Sequence, residues 1–176
     1  MLEAVQSDPL SKEPTVPPFN HIHPAIVHFP IALLTVAPLL VLLGLLWPGQ
    51  RRGVHASALI LLVLGLGGLI LALESGQAVE RYARTTPALL AGVRDHELAA
   101  QWTTLIFGLL AAAFAVLWFL PLLRKRELPR GLEQGLLALW LALSVVGVVA
   151  LGRTGHAGGH LVHDLHTHAG PEPPLD

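Results

Sequence analysis

Four long apolar stretches fix what this chain can become. They run over about Pro24–Trp47, Ala56–Leu73, Glu97–Leu120 and Leu132–Gly152. A helix needs about 20 mostly apolar residues to cross a hydrocarbon core of ~30 Å, and each stretch supplies them. Within lipid the backbone must satisfy its own N–H and C=O groups, so each stretch reads as a transmembrane helix. Composition agrees: 13% of the 176 residues are charged and 53% hydrophobic, against roughly 25% charged in soluble domains. Short loops join the first span to the second and the third to the fourth. The expected fold class is therefore all-α, an integral-membrane antiparallel four-helix bundle.

Around the spans, residues 1–19 form a polar, acidic tail with Pro9, Pro14, Pro17 and Pro18. It has neither the basic nor the apolar region of a signal peptide, and disorder is expected there. Residues 20–168 make the four-helix domain and 169–176 a Pro-rich C-terminal tail. Pro30 and Pro38 predict kinks in the first span rather than breaks. Gly65, Gly67 and Gly68 predict close helix approach. The second span is expected to end at Glu74. Ser75–Arg94 reads as a longer connection with a short interfacial amphipathic helix over Thr86–Val93.

Charge sets the expected topology. The two short loops hold Arg51, Arg52, Arg124, Lys125, Arg126 and Arg130 against Glu127 and Glu133. By the positive-inside rule these loops are cytoplasmic. Both termini then lie outside, on the periplasmic side of a bacterial inner membrane. No basic stripe points to nucleic acid, and the Leu-rich spans permit a homodimer without demanding one.

The anomaly is histidine: ten residues, against one tyrosine and no cysteine. Lacking cysteine, the chain offers no disulfide, thiolate metal site, iron–sulfur ligand or covalent c-type haem attachment. The stretch Asn20–Leu34, NHIHPAIVHFPIALL, carries His28 a little over one turn inside the first span. An ionisable side chain at such depth is costly unless partnered, and marks a functional site by default. Under this topology His21, His23, His28, His96, His156, His160, His163, His166 and His168 fall on the outer side. His55 alone is cytoplasmic and reads as an ordinary interfacial residue. His28, His96 and His156 come from three helices at similar depth and are expected to converge.

Such a convergence suits several occupants. Two facing imidazoles in an apolar layer suit a b-type haem, one or two in number. Gly155, Gly158 and Gly159 would leave room for the porphyrin face. Three imidazoles at closer range, from His28, His96, His156 and His160, would instead suit zinc, copper or nickel. His156, His160 and His163 repeat at i, i+4 and i+7 and so share a helix face. A third reading has no cofactor: His28 and His96 bond across helices, or to Glu74, as buried polar glue. His163-Asp164-Leu165-His166-Thr167-His168 is a weak metal-binding tract.

His23-Pro24 followed by Val27-His28-Phe29-Pro30-Ile31-Ala32-Leu33 resembles the opening signature of the bacterial membrane proteins filed as domain of unknown function 2231. His96 at the start of the third helix matches their pattern. So does Gly155-His156-Ala157-Gly158-Gly159-His160-Leu161-Val162. The resemblance covers about Asn20–His166. After Val162 the chain departs from it, so no role carries over to His163 or His166. The resemblance implies four spans. Fusion of some members to Rieske or c-type cytochrome modules implies electron transfer near the outer face.

The leading expectation is a small membrane b-type cytochrome, an electron carrier more than an enzyme. His28 would be one axial ligand and His96 or His156 the other. His23 would orient a ligand, bind propionates or ligate a second haem. Arg94 and Arg153 at the same face are natural propionate partners. Electrons would pass between a periplasmic or quinone donor and a c-type cytochrome, Rieske protein or respiratory complex. The alternatives are a membrane protein that binds copper, zinc or nickel, and a cofactor-free accessory subunit. No Ser/His/Asp order, phosphate loop or paired-carboxylate motif stands out.

Overall fold

A computed structural model describes residues 19–80 and 87–163. Four helices account for almost all of them: α1 (Phe19–Leu46), α2 (Arg51–Glu80), α3 (Pro87–Arg124) and α4 (Arg130–His163), with one 3₁₀ turn at Pro48–Gln50. No strand occurs among the described residues. All four helices are long and apolar enough to cross a membrane. The chain is thus a multi-pass membrane helical bundle whose outer surface meets the bilayer. Residues 1–18 of the expected N-terminal tail, the C-terminal tail, His166 and His168 lie outside the described residues, and Phe19 already belongs to α1.

The helices overrun the apolar stretches. α2 does not stop at Glu74 but continues to Glu80. α3 starts at Pro87, where a proline loses no hydrogen bond in the first turn. The separate interfacial helix expected over Thr86–Val93 is instead, from Pro87 on, the first turns of α3. α1 runs unbroken through Pro24, Pro30 and Pro38. α3 ends in a Schellman motif: Arg126 N–H reaches the Pro121 carbonyl at 3.2 Å and Lys125 N–H the Leu122 carbonyl at 3.3 Å. Lys125 takes the left-handed conformation there, with φ of 51°.

Packing is strongest between α1 and α2 and between α3 and α4. Leu34, Ala37 and Val41 of α1 are fully buried, as are Ala58 and Leu62 of α2 and Phe107 of α3. Gly65 lies under Leu34 and Gly68 under Pro30, while Gly67 points into open space. Two of the three glycines therefore serve the close approach. Phe114 packs on Trp140 with ring centroids 5.0 Å apart. Trp140 donates its indole N–H to the Leu110 carbonyl at 2.8 Å, satisfying a buried donor inside the apolar layer. Leu71, Leu109, Leu123 and Val145 are more than half exposed. On a soluble surface that would be a liability; here it is the lipid-facing side.

Salt bridges tie the two short connections together. Arg51 Nη1 meets Glu133 Oε2 at 2.9 Å and Arg52 Nη2 meets Glu127 Oε1 at 2.9 Å. This is the loop end of the bundle. The start of α1, the end of α2, the start of α3 and the end of α4 meet at the other end. His23 contacts Ser75 there, Gln77 contacts Glu97, and His96 contacts Thr154.

Candidate functional site

The non-loop end gathers polar side chains that the apolar spans could not tolerate deeper. Ser75 Oγ donates to the Ala72 carbonyl at 2.9 Å, which uses its only proton. With that proton directed at the Ala72 carbonyl, the 2.7 Å bond between Ser75 Oγ and His23 Nδ1 runs from Nδ1–H to oxygen. A neutral imidazole protonated on Nδ1 carries its lone pair on Nε2. Gly76 lies against the same ring, where a Cβ would come within 3.4 Å of Cε1.

His96 is held in the same way on the facing pair. Its Nδ1 lies 3.1 Å from the Thr154 carbonyl, which can only accept, so Nδ1 again bears the proton. Thr154 is itself fixed. Its hydroxyl donates to the Ala150 carbonyl at 3.0 Å, and the buried Thr103 hydroxyl donates to it at 2.8 Å. A Cβ on Gly158 would sit 3.0 Å from His96 Cε1, so the absence of a side chain there gives the ring its place. Close by, Glu97 Oε1 accepts from Gln77 at 3.1 Å and from Gln101 at 3.2 Å.

His23 stands two residues before the apolar span Ala25–Leu46. Burial is the main cause that pushes its pKa below the ordinary 6.5, and a nearby His96 charge adds to the effect. His23 therefore favours the neutral form, the form that ligates.

The other candidates are placed differently. His28, His156 and His160 are exposed on their helices. Arg94 and Arg153 are exposed and make no ion pair among the described residues. Arg153 and His156 line an open groove between α3 and α4 together with Asp95. Gly155 and Gly159 face open space. No group of three His, Cys, Asp or Glu side chains able to hold a metal occurs among the described residues. The imidazole of α1 that stands near His96 is His23. Ser75, Thr154, Thr103 and Gln77 were not anticipated. Counting along the chain would have found one of them, since His23 and Ser75 are equally far from Gly49 in the turn.

His55 is not the interfacial residue it resembled. It is only 4% exposed. Its Nε2 lies 3.3 Å from the Val41 carbonyl, and its ring meets Phe114 edge-on at 5.8 Å. Gly44 of α1 provides the space: any Cβ there would overlap the imidazole.

No curated protein and no solved structure matches the chain. The family described as predicted membrane protein (DUF2231) matches residues 20–171. That match takes in all four helices except Phe19, the first residue of α1, and the chain belongs to this family.

Proposed function

We propose that this protein is a small membrane-embedded b-type cytochrome whose haem is held by His23 and His96. One observation carries the reading: both rings commit Nδ1–H to an oxygen acceptor, so both present Nε2 as a bare donor atom. Ligating histidines characteristically have their second nitrogen anchored in this way, which fixes tautomer and ring orientation. Two anchored imidazoles match the donor set of bis-histidine haem. Gly76 and Gly158 leave the two imidazoles room to lie against α2 and α4.

Bound haem b supplies one-electron exchange. The chain's own residues do the rest. Ser75 and the Thr154 carbonyl hold the two rings, and Thr103 holds Thr154. Arg94 and Arg153, exposed at the same end, offer guanidinium partners to propionates.

The helix pairs support an antiparallel bundle: His55 faces Gly44, Leu34 faces Gly65, and His23 faces Ser75, with numbers rising on α2 as they fall on α1. The Arg-rich loop end would be cytoplasmic and the His23–His96 end periplasmic. The redox partner would then dock from the periplasmic side, and both termini would lie there.

A pyridine haemochrome assay on protein expressed with ample haem tests the proposal, with about one haem per chain expected. A transition metal in place of haem would favour the metal-binding alternative. Neither would leave the accessory subunit.

A further inference from the structure

The loop end holds a separate cavity of about 450 Å³ between α2, α3 and α4. That volume lies within the range of small-molecule sites, roughly 300–1,000 Å³. Phe114 and Trp118 give it aromatic walls, Leu117 and Leu137 aliphatic ones, and His55 reaches it from α2.

His55 gives the cavity a definite polarity. The Val41 carbonyl can only accept, so His55 Nε2 carries the proton, and in the neutral ring Nδ1 is the acceptor. Among the described residues nothing donates to Nδ1. No buried side-chain nitrogen or oxygen among them lacks a partner either. His55 lines the cavity, and with Nε2 turned to Val41 it has Nδ1 to offer there. A side chain more than nine-tenths buried thus offers an acceptor to a space with aromatic and aliphatic walls and a rim of Arg51, Arg52, Glu127 and Glu133.

The matching ligand is flat, membrane-soluble and a hydrogen-bond donor. We propose that this cavity binds a lipid-soluble hydroquinone, its ring against Phe114 and Trp118 and one hydroxyl donated to His55 Nδ1. The rim suits the second hydroxyl. Glu133 gives Oε2 to Arg51 and keeps its other oxygen. The rim also disfavours a phospholipid headgroup at Arg51, which the half-buried Glu133 carboxylate already pairs. This site lies at the opposite end from His23 and His96 and stands or falls without them.

The test uses the full chain in neutral-lipid nanodiscs under anaerobic conditions. Three probes are titrated by calorimetry: a short-tailed benzohydroquinone, its dimethyl ether, and the oxidised benzoquinone. Losing one neutral hydrogen bond corresponds to about tenfold in affinity. The hydroquinone is expected to bind at least about tenfold more tightly than the ether or the quinone, neither of which can donate. His55→Phe should weaken hydroquinone binding about tenfold while changing the ether less than twofold. Leu117→Trp, which fills the cavity, should abolish binding of all three. Should His55→Phe fail to fold, the probe comparison in the unaltered chain and Leu117→Trp still decide. Equal affinity for hydroquinone and ether would overturn the proposal, as would binding that survives Leu117→Trp. Loss of hydroquinone binding on adding phosphatidylglycerol would assign the cavity to an anionic lipid instead.

Discussion

His96 on α3 is fastened to the backbone of α4 by a 3.1 Å bond from its Nδ1 to the Thr154 carbonyl. A mutation cannot delete that carbonyl, but it can move the ring. Gly158 lies beneath the imidazole, where a Cβ would come within 3.0 Å of Cε1. Gly158→Ala should therefore displace the ring and destabilise the protein by about 1–2 kcal/mol, as overpacking does. Gly159→Ala, facing open space, should be near neutral. Thermal unfolding in detergent reads the first comparison. The His96 ring resonances of isotope-labelled protein report the displacement itself.

At the other end, Gly44 and His55 occupy space that only a glycine and an imidazole share. Gly44→Ala should cost about 1–3 kcal/mol. Gly67→Ala, with no neighbour within 4 Å, should stay within about 0.5 kcal/mol of neutral. Equal melting temperatures for the two variants would contradict the close α1–α2 contact.

The two salt bridges at the loop end should differ in worth. The Arg51 and Glu133 side chains are 31% and 22% exposed, and those of Arg52 and Glu127 are 77% and 68% exposed. Solvent screens the second pair almost fully. Double-mutant cycles should give a coupling of about 1 kcal/mol for Arg51–Glu133 and less than about 0.5 kcal/mol for Arg52–Glu127. The larger coupling should also persist better in high salt.

Acid should loosen the His23 end in protein prepared without haem. Burial holds the His23 pKa below 6.5 in the folded state. As pH falls through 6.5 the unfolded chain therefore takes up its proton first. The contribution of His23 to stability is whole above about pH 6.5 and declines as pH drops towards the lowered folded value. Melting temperature should fall with acidification in that window. His23→Gln should make the fall shallower, and an unchanged slope would contradict the burial of this ring.

Much of the fold was legible because the signal is strong. A run of about 20 apolar residues has few alternatives to a spanning helix. Helix ends were less legible: hydropathy reports depth in lipid, whereas the helix persists through polar residues such as Ser75–Gln77 and Arg94–Glu97. Part of the site geometry was readable and went unread. At roughly 100° per residue, His23 and His28 lie about 140° apart around α1, so both cannot face the same neighbour. The sequence spacing thus already made them competitors for the inward face. Which one turns in depends on Pro30 and Leu34, which pack on Gly68 and Gly65 and set the rotation of α1. His55 was misjudged for a related reason. Beside Arg51 and Arg52 its polarity reads as interfacial, and its burial comes from Gly44 on another helix. Placing those two together requires the α1–α2 register.

Haem ligation by His23 and His96 is tested by a reduced-minus-oxidised visible spectrum of the purified protein, compared across single histidine variants. A sharp α-band of bis-histidine haem b is expected in the unaltered chain. That band should vanish in His23→Ala and in His96→Ala and persist in His28→Ala and His156→Ala. A featureless spectrum from protein expressed with ample haem would rule out haem ligation by these histidines. So would a band that survives His23→Ala but is lost in His28→Ala.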